Sequence, residues 1–256
     1  VAGLFYPDDP LLLQQQVEAL LAAATPPPDV HPRALVVPHA GYIYSGPVAA
    51  RAYALLPPLR GRIRRVVLLG PAHRLPFTGI AASSARYFAT PLGSLRVDQE
   101  ALDRVITQPA VRVLDEAHRD EHSLEVQLPF LQTVLDPGIG LLPLLAGDVD
   151  PKQVAALIEN LWDDSGHTLF VISSDLSHYH DYQSARRLDE ATAMAIAQLN
   201  PEAIDPAQAC GRTPLNGLLY AARRHHLSPL QLDLRNSGDT AGGRDRVVGY
   251  GAWAFA

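Results

Sequence analysis

Ala34-Leu35-Val36-Val37 runs directly into Pro38-His39-Ala40-Gly41-Tyr42-Ile43-Tyr44-Ser45-Gly46. The first four residues are apolar, and two are β-branched. A run this short with no polar alternation reads as a strand covered on both faces, the kind found in parallel sheets sandwiched by helices. Val66-Val-Leu-Leu69, Ile139 to Leu145 and Leu169-Phe-Val-Ile172 repeat the pattern. Segments of helical period lie between and around these runs. Asp8 to Ala24 opens with acids and Pro10 and places Leu13, Val17, Leu20 and Leu21 on one side. Asp98 to Thr107, Glu121 to Leu135, Asp150 to Trp162, Ser184 to Leu199 and Thr213 to His226 complete the helical set, and Asp150-Pro151 is a helix-start signal. Leu230 to Leu234 and Val247 to Phe255 read as closing strands, with Arg235 to Arg246 as an exposed connection. Alternation throughout the chain predicts an α/β fold, a central mostly parallel sheet flanked by helices on both faces. No linker or compositional break divides residues 1–256, which predicts a single domain.

The chain has 256 residues, 47% of them apolar and 19% charged, which excludes disorder and supports a substantial core. No apolar run approaches the ~20 residues of a membrane helix. Val1-Ala-Gly-Leu-Phe-Tyr-Pro7 does not read as a signal peptide. With 21 basic and 27 acidic residues the net charge is −6, which argues against nucleic-acid binding; the arginine pairs are scattered. Cys210 is the single cysteine, so no intrachain disulfide can form, and a reducing, cytoplasmic setting is expected.

The segments just past the strands carry the chemistry. Strand 34–37 delivers His39, strand 66–69 runs through Gly70-Pro-Ala to His73, and strand 169–172 runs through Ser173-Ser-Asp-Leu-Ser to His178. Ligands of open α/β sheets bind beyond the carboxyl ends of the strands, so parallel neighbours would bring His39, His73 and His178 to one rim. Imidazole is the commonest metal ligand and a base near neutral pH. His31, His118, His167, His225 and His226 lack this placement. In Asp120-Glu121-His122-Ser123-Leu124-Glu125 the acids suit a helix start, with Asp120 as cap. His122 gains nothing from such a position and is expected to be neutral and turned to the rim. Cys210 precedes a helix expected from Thr213, where the dipole would lower its pKa and favour the metal-binding thiolate.

Ala2-Gly-Leu-Phe-Tyr-Pro7, Pro38-His-Ala-Gly-Tyr42, Leu69-Gly-Pro-Ala-His73, Glu121-His-Ser-Leu-Glu125, Gln127-Leu-Pro129, Ser173-Ser-Asp-Leu-Ser-His178 and Cys210-Gly-Arg-Thr-Pro214 occur in an order that resembles the Memo family. Each motif alone is weak; the ordered set spans nearly the whole chain. The resemblance implies a fold like the catalytic subunits of class III extradiol ring-cleavage dioxygenases, which use non-haem Fe(II). It also implies association with AMMECR1-like and radical-SAM proteins in prokaryotes, an AmmeMemoRadiSam-type system. The animal member is linked to motility, phosphopeptide contact and iron or copper handling.

By position, the resemblance assigns His39, His73 and Cys210 as metal ligands, His178 as a further active-site histidine and Asp175 as a residue tied to copper binding. It places His122 where ring-cleavage enzymes carry another catalytic histidine. A thiolate in place of a carboxylate departs from those enzymes and shifts preference toward Zn(II) or Cu(I). Three functions are consistent with these residues. The first is an Fe(II)-dependent, dioxygenase-like oxidoreductase acting on a small molecule. There His178 would serve as acid/base, His122 as hydrogen-bond donor, and Asp175 would orient His178 or support the metal ligands from behind. The second is a metal- or peptide-binding module without turnover, with Pro38 to Tyr42 and Tyr44 lining a cleft for an acidic or aromatic side chain. The third is a zinc-dependent hydrolase.

Overall fold

A computed structural model describes all 256 residues. Its strands are β1 (Ala34–Val37), β2 (Arg65–Pro71), β3 (Ile80–Ala82), β4 (Tyr87–Thr90), β5 (Gly93–Val97), β6 (Val111–Val113), β7 (Gly140–Ala146), β8 (Thr168–Ser173), β9 (His178–His180), β10 (Pro229–Asn236) and β11 (Val247–Phe255). Its helices are α1 (Pro10–Ala23), α2 (Tyr42–Tyr53), α3 (Gln99–Val105), α4 (Asp115–Arg119), α5 (Leu128–Val134), α6 (Pro151–Leu161), α7 (Tyr182–Ala197) and α8 (Arg212–Arg224).

The main sheet has the order β10-β11-β1-β8-β2-β7-β3-β6. Four of its seven pairings are parallel, and the central β1-β8-β2-β7 block is wholly so. The fold is therefore α/β with a mixed, mostly parallel sheet. The late strands β10 and β11 enter antiparallel, as a hairpin on the β1 edge. Strand residues alternate between two cores. Leu35, Val37, Val66, Leu68, Val171 and Leu141 face α1, α2 and α5. Val36, Val67, Leu69, Leu142, Phe170 and Ile172 face α3, α6, α7 and α8. Both faces are dry, which is why these strands show no polar alternation.

Register places the site. Val37 pairs with Ser173, and Leu69 with Ile172, so β1, β8 and β2 end nearly level. The loops bearing His39, His73 and Asp175 therefore leave one edge of the sheet together.

Two local expectations are corrected, and one helix is not among those read from the sequence: the segment after His39 turns into α2 at Tyr42, where Pro47 is accommodated within the helix. No helix starts at Glu121, and Asp120 is not an N-cap but the C-cap residue of α4. A loop leads to a short turn at Glu125–Gln127 and then α5, because the Glu121 carboxylate is taken up by the site. The connection after β10 is not merely exposed: it forms a capped turn at Ser237–Asp239 and contributes Ser237, Gly242 and Gly243 to a cleft.

Glycine fixes one close approach. A Cβ on Gly211 would sit 2.6 Å from the Ser173 carbonyl oxygen and 2.6 Å from Ser174 Cβ, so only glycine lets the Cys210 loop lie against the end of β8. Gly211→Ala is expected to destabilise the protein by about 1–3 kcal/mol through this overpacking, measurable as a lowered urea midpoint with an unchanged m-value.

Candidate metal centre

Ser173, Ser174 and Asp175 at the end of β8 hold the other loops. Ser174 N–H donates to the Val37 carbonyl at 2.8 Å, tying β8 to the β1 exit. Asp175 Oδ1 accepts from the His39 backbone N–H at 2.7 Å. The Asp175 carbonyl accepts from Cys210 N–H at 3.3 Å, and Ser174 Oγ accepts from Gly211 N–H at 2.9 Å. One short segment thus seats two chain regions 171 residues apart.

The hydrogen bonds also fix the ring protons. Ser173 Oγ–H donates to the Ser123 carbonyl at 2.6 Å, which uses its single proton. Its oxygen must then accept from Gln127 Nε2, at 2.9 Å, and from His39 Nδ1–H, at 2.8 Å. His39 therefore presents an unprotonated Nε2, which lies 3.3 Å from Cys210 Sγ. His73 Nδ1 lies 2.9 Å from Glu121 Oε1, a carboxylate that can only accept, so in the neutral ring it is Nε2 that carries the lone pair. His39, His73 and Cys210 bring ligand atoms within 4.8 Å of one another. Two imidazoles with Nδ1–H anchored and a soft thiol are a donor set that could hold a metal ion, each histidine oriented by its own partner.

Glu121 was legible only as a helix-start acid, yet it is buried and central. Besides His73 it accepts from the backbone N–H groups of His122 and Ser123, each at 2.9 Å. Burial alone would raise its pKa, but these hydrogen bonds win and hold it down at about 2. What separates it from Asp120 in the sequence is its place as the first residue of the Glu121-His-Ser-Leu-Glu125 motif. Phe5 was likewise missed; its ring stacks on His122 at 4.5 Å, so the N-terminal motif closes the site.

His122 stacks on His73 at 4.9 Å and meets His39 edge-on at 5.4 Å. Burial, with the neighbouring His39, pushes its pKa down to about 4, so the ring is neutral. Its Nδ1 is buried without a hydrogen bond, 3.4 Å from Glu121 Oε1. His178 turns Nδ1 to the Leu176 carbonyl at 2.8 Å, leaving Nε2 free. His39, His73, His122, His178 and Asp175 all line one cleft of about 680 Å³, together with Phe5, Tyr44 and Tyr250. Asp175 makes no hydrogen bond to His178; it holds the His39 backbone instead. Burial raises its pKa above the ordinary carboxylate range.

The expected thiolate is not present without a cation. Burial, reinforced by the Asp175 charge, pushes the Cys210 thiol up to about 12. Desolvation outweighs the α8 dipole. A coordinated cation reverses the balance, since ligation deprotonates a thiol.

The sequence profile described as "Memo-like protein" matches residues 1–254. The chain belongs to the Memo family. It is 36% identical over 266 positions to a MEMO1 family protein of Methanosarcina barkeri, covering 98% of this chain and 97% of the relative. A MEMO1 family protein of Saccharolobus islandicus strain M.14.25 is 34% identical over 277 positions, covering 100% and 97%. An uncharacterized Escherichia coli K12 protein of known crystal structure shares the fold, with a TM-score of 0.53 at 16% identity, over 86% of this chain and 99% of that one. No helix is long and apolar enough to cross a membrane.

Two measurements check this geometry. Ser173→Ala removes the acceptor that orients His39, and a fall of about 10–100-fold in metal affinity is expected, read by competition with a chromogenic chelator. The second concerns pH. Burial pushes the His39 pKa down to about 3. Between there and the ordinary value near 6.5 the unfolded chain binds a proton that the folded one does not, so stability falls as pH falls through that window. His39→Gln is expected to flatten this slope by about one proton, measured as urea midpoints of metal-free protein at ~pH 7 and ~pH 5.

Proposed function

We propose that the chain is a metal-dependent oxidoreductase of the dioxygenase-like type, acting on a small molecule, with Fe(II) held by His39, His73 and Cys210. The observation that supports it most is the pair of Nε2 lone pairs, set by Ser173 and Glu121, that meet one thiol where both histidines line a cleft. When bound, the metal would supply a Lewis-acidic, redox-active centre with open positions toward the cleft.

The remaining roles fall to this chain's own residues. His178 Nε2, unprotonated in the neutral ring because Nδ1 is engaged by Leu176, takes a proton from a substrate hydroxyl and later returns it. His122, neutral and clamped between Phe5 and His73, offers a hydrogen bond to charge developing on the substrate. Asp175 positions His39 through its backbone, the supporting one of its two expected roles, and not the orienting of His178. Phe5, Tyr44 and Tyr250 limit water over the cleft floor. AMMECR1-like and radical-SAM partners, which the family resemblance implies, and a cytoplasmic setting, which the single cysteine suggests, belong to the same reading.

A second reading has its own observation. The soft Cys210 ligand suits Zn(II) or Cu(I) as well as iron, which would favour hydrolysis or metal binding without turnover. Protein purified without oxygen is expected to carry about one iron per chain and to consume O₂ with a hydroxylated aromatic. His39→Ala should lose the metal, whereas His178→Gln should keep it and lower kcat by ~10²–10⁴-fold. Bound zinc, or hydrolysis that persists without oxygen, would transfer the assignment to the second reading.

A further inference from the structure

The same cleft carries an electrostatic signature that the metal ligands do not explain. Its rim bears Arg74, next to His73, and Arg246, just before β11. Neither guanidinium lies within ion-pair distance of a carboxylate, in contrast to Arg65 on Asp98 and Arg235 on Asp233. The only acid among the lining residues is Asp175, which is buried and already accepts from the His39 N–H. The chain as a whole has 27 acidic against 21 basic residues, so an unpaired basic rim runs against its composition.

A second observation comes from the backbone. Tyr179, beside His178, has φ +63°, a left-handed conformation that a bulky residue adopts at a cost in strain. The consequence is that Tyr179 is 65% exposed at the mouth of the cleft, with the Arg246 guanidinium 5.1 Å over its ring. Strain that places an aromatic ring in solvent beside an unpaired arginine gains nothing for packing. It does build a platform that holds the guanidinium over the opening.

We infer that the cleft selects anionic small molecules: Arg246, seated on Tyr179, and Arg74 receive a carboxylate or phosphate at the rim while the rest of the ligand reaches the histidines. This rests on the proposed function for the cleft's chemistry and adds the class of substrate. Arginine is suited to the task because its planar fork donates two parallel hydrogen bonds to either oxyanion.

The test uses benzoate, phenyl phosphate and the neutral isostere benzamide, titrated calorimetrically into metal-loaded full-length protein. The anions are expected to bind at least about tenfold more tightly than benzamide, with affinity falling as salt rises. Arg246→Gln and Arg74→Gln should each remove most of that preference and leave benzamide binding unchanged, while Arg246→Lys retains part of it. The stronger of the two anions identifies which oxyanion the rim is built for. Equal affinity for benzoate and benzamide overturns the inference, as does anion binding that survives both glutamine variants, which would mean direct capture by the metal. Metal content of each variant is measured alongside. A wild-type chain without metal would sink the proposed function while the anion preference still stood or fell by itself.

Discussion

Ser173-Ser174-Asp175 at the end of β8 is the constraint on which the site depends. Through five hydrogen bonds it fixes the exit of β1, the ring proton and backbone of His39, and the backbone of the Cys210 loop. The bonds are buried, where an unmade one costs about 1–3 kcal/mol, so the arrangement is either complete or it is lost. Because the same serine hydroxyl also donates to Ser123, the Glu121–His122 loop is locked to the same point.

Electrostatics at this point is set by burial more than by helix ends. His39 and His122 are held neutral, and Glu121 is held charged by four donors, so these two histidines face inward uncharged and not as cations. The Cys210 thiol is protonated in the absence of a cation for the same reason. The site is thus prepared for a positive charge that it does not itself possess. A ligand set of this kind couples metal uptake to proton release.

Much of the architecture was legible along the chain. The four buried strands announce themselves because both faces of β1, β2, β7 and β8 are dry, and α6 and α8 show strongly one-sided apolar patterns. Short elements were not legible: β3 and β6 have three residues each, too few for any period, and α2 hides behind Gly41, Gly46 and Pro47. The supposed helix at Glu121 shows the limit of reading acids as caps. A carboxylate at a loop start looks the same whether it faces solvent or a buried imidazole.

The chain by itself determined that His39, His73, His178 and Cys210 stand just past strands or before a helix, since strand ends and helix starts are written in local apolar runs and turn residues. Tertiary structure decided which of these meet, and with which proton. The level β1–β8–β2 register, the Gly211 contact and the single proton of Ser173 are relations between residues far apart in sequence, so no local pattern encodes them. It also decided the basic rim, because Arg74 and Arg246 become neighbours of one cleft only when β2 and β11 are folded into the same sheet.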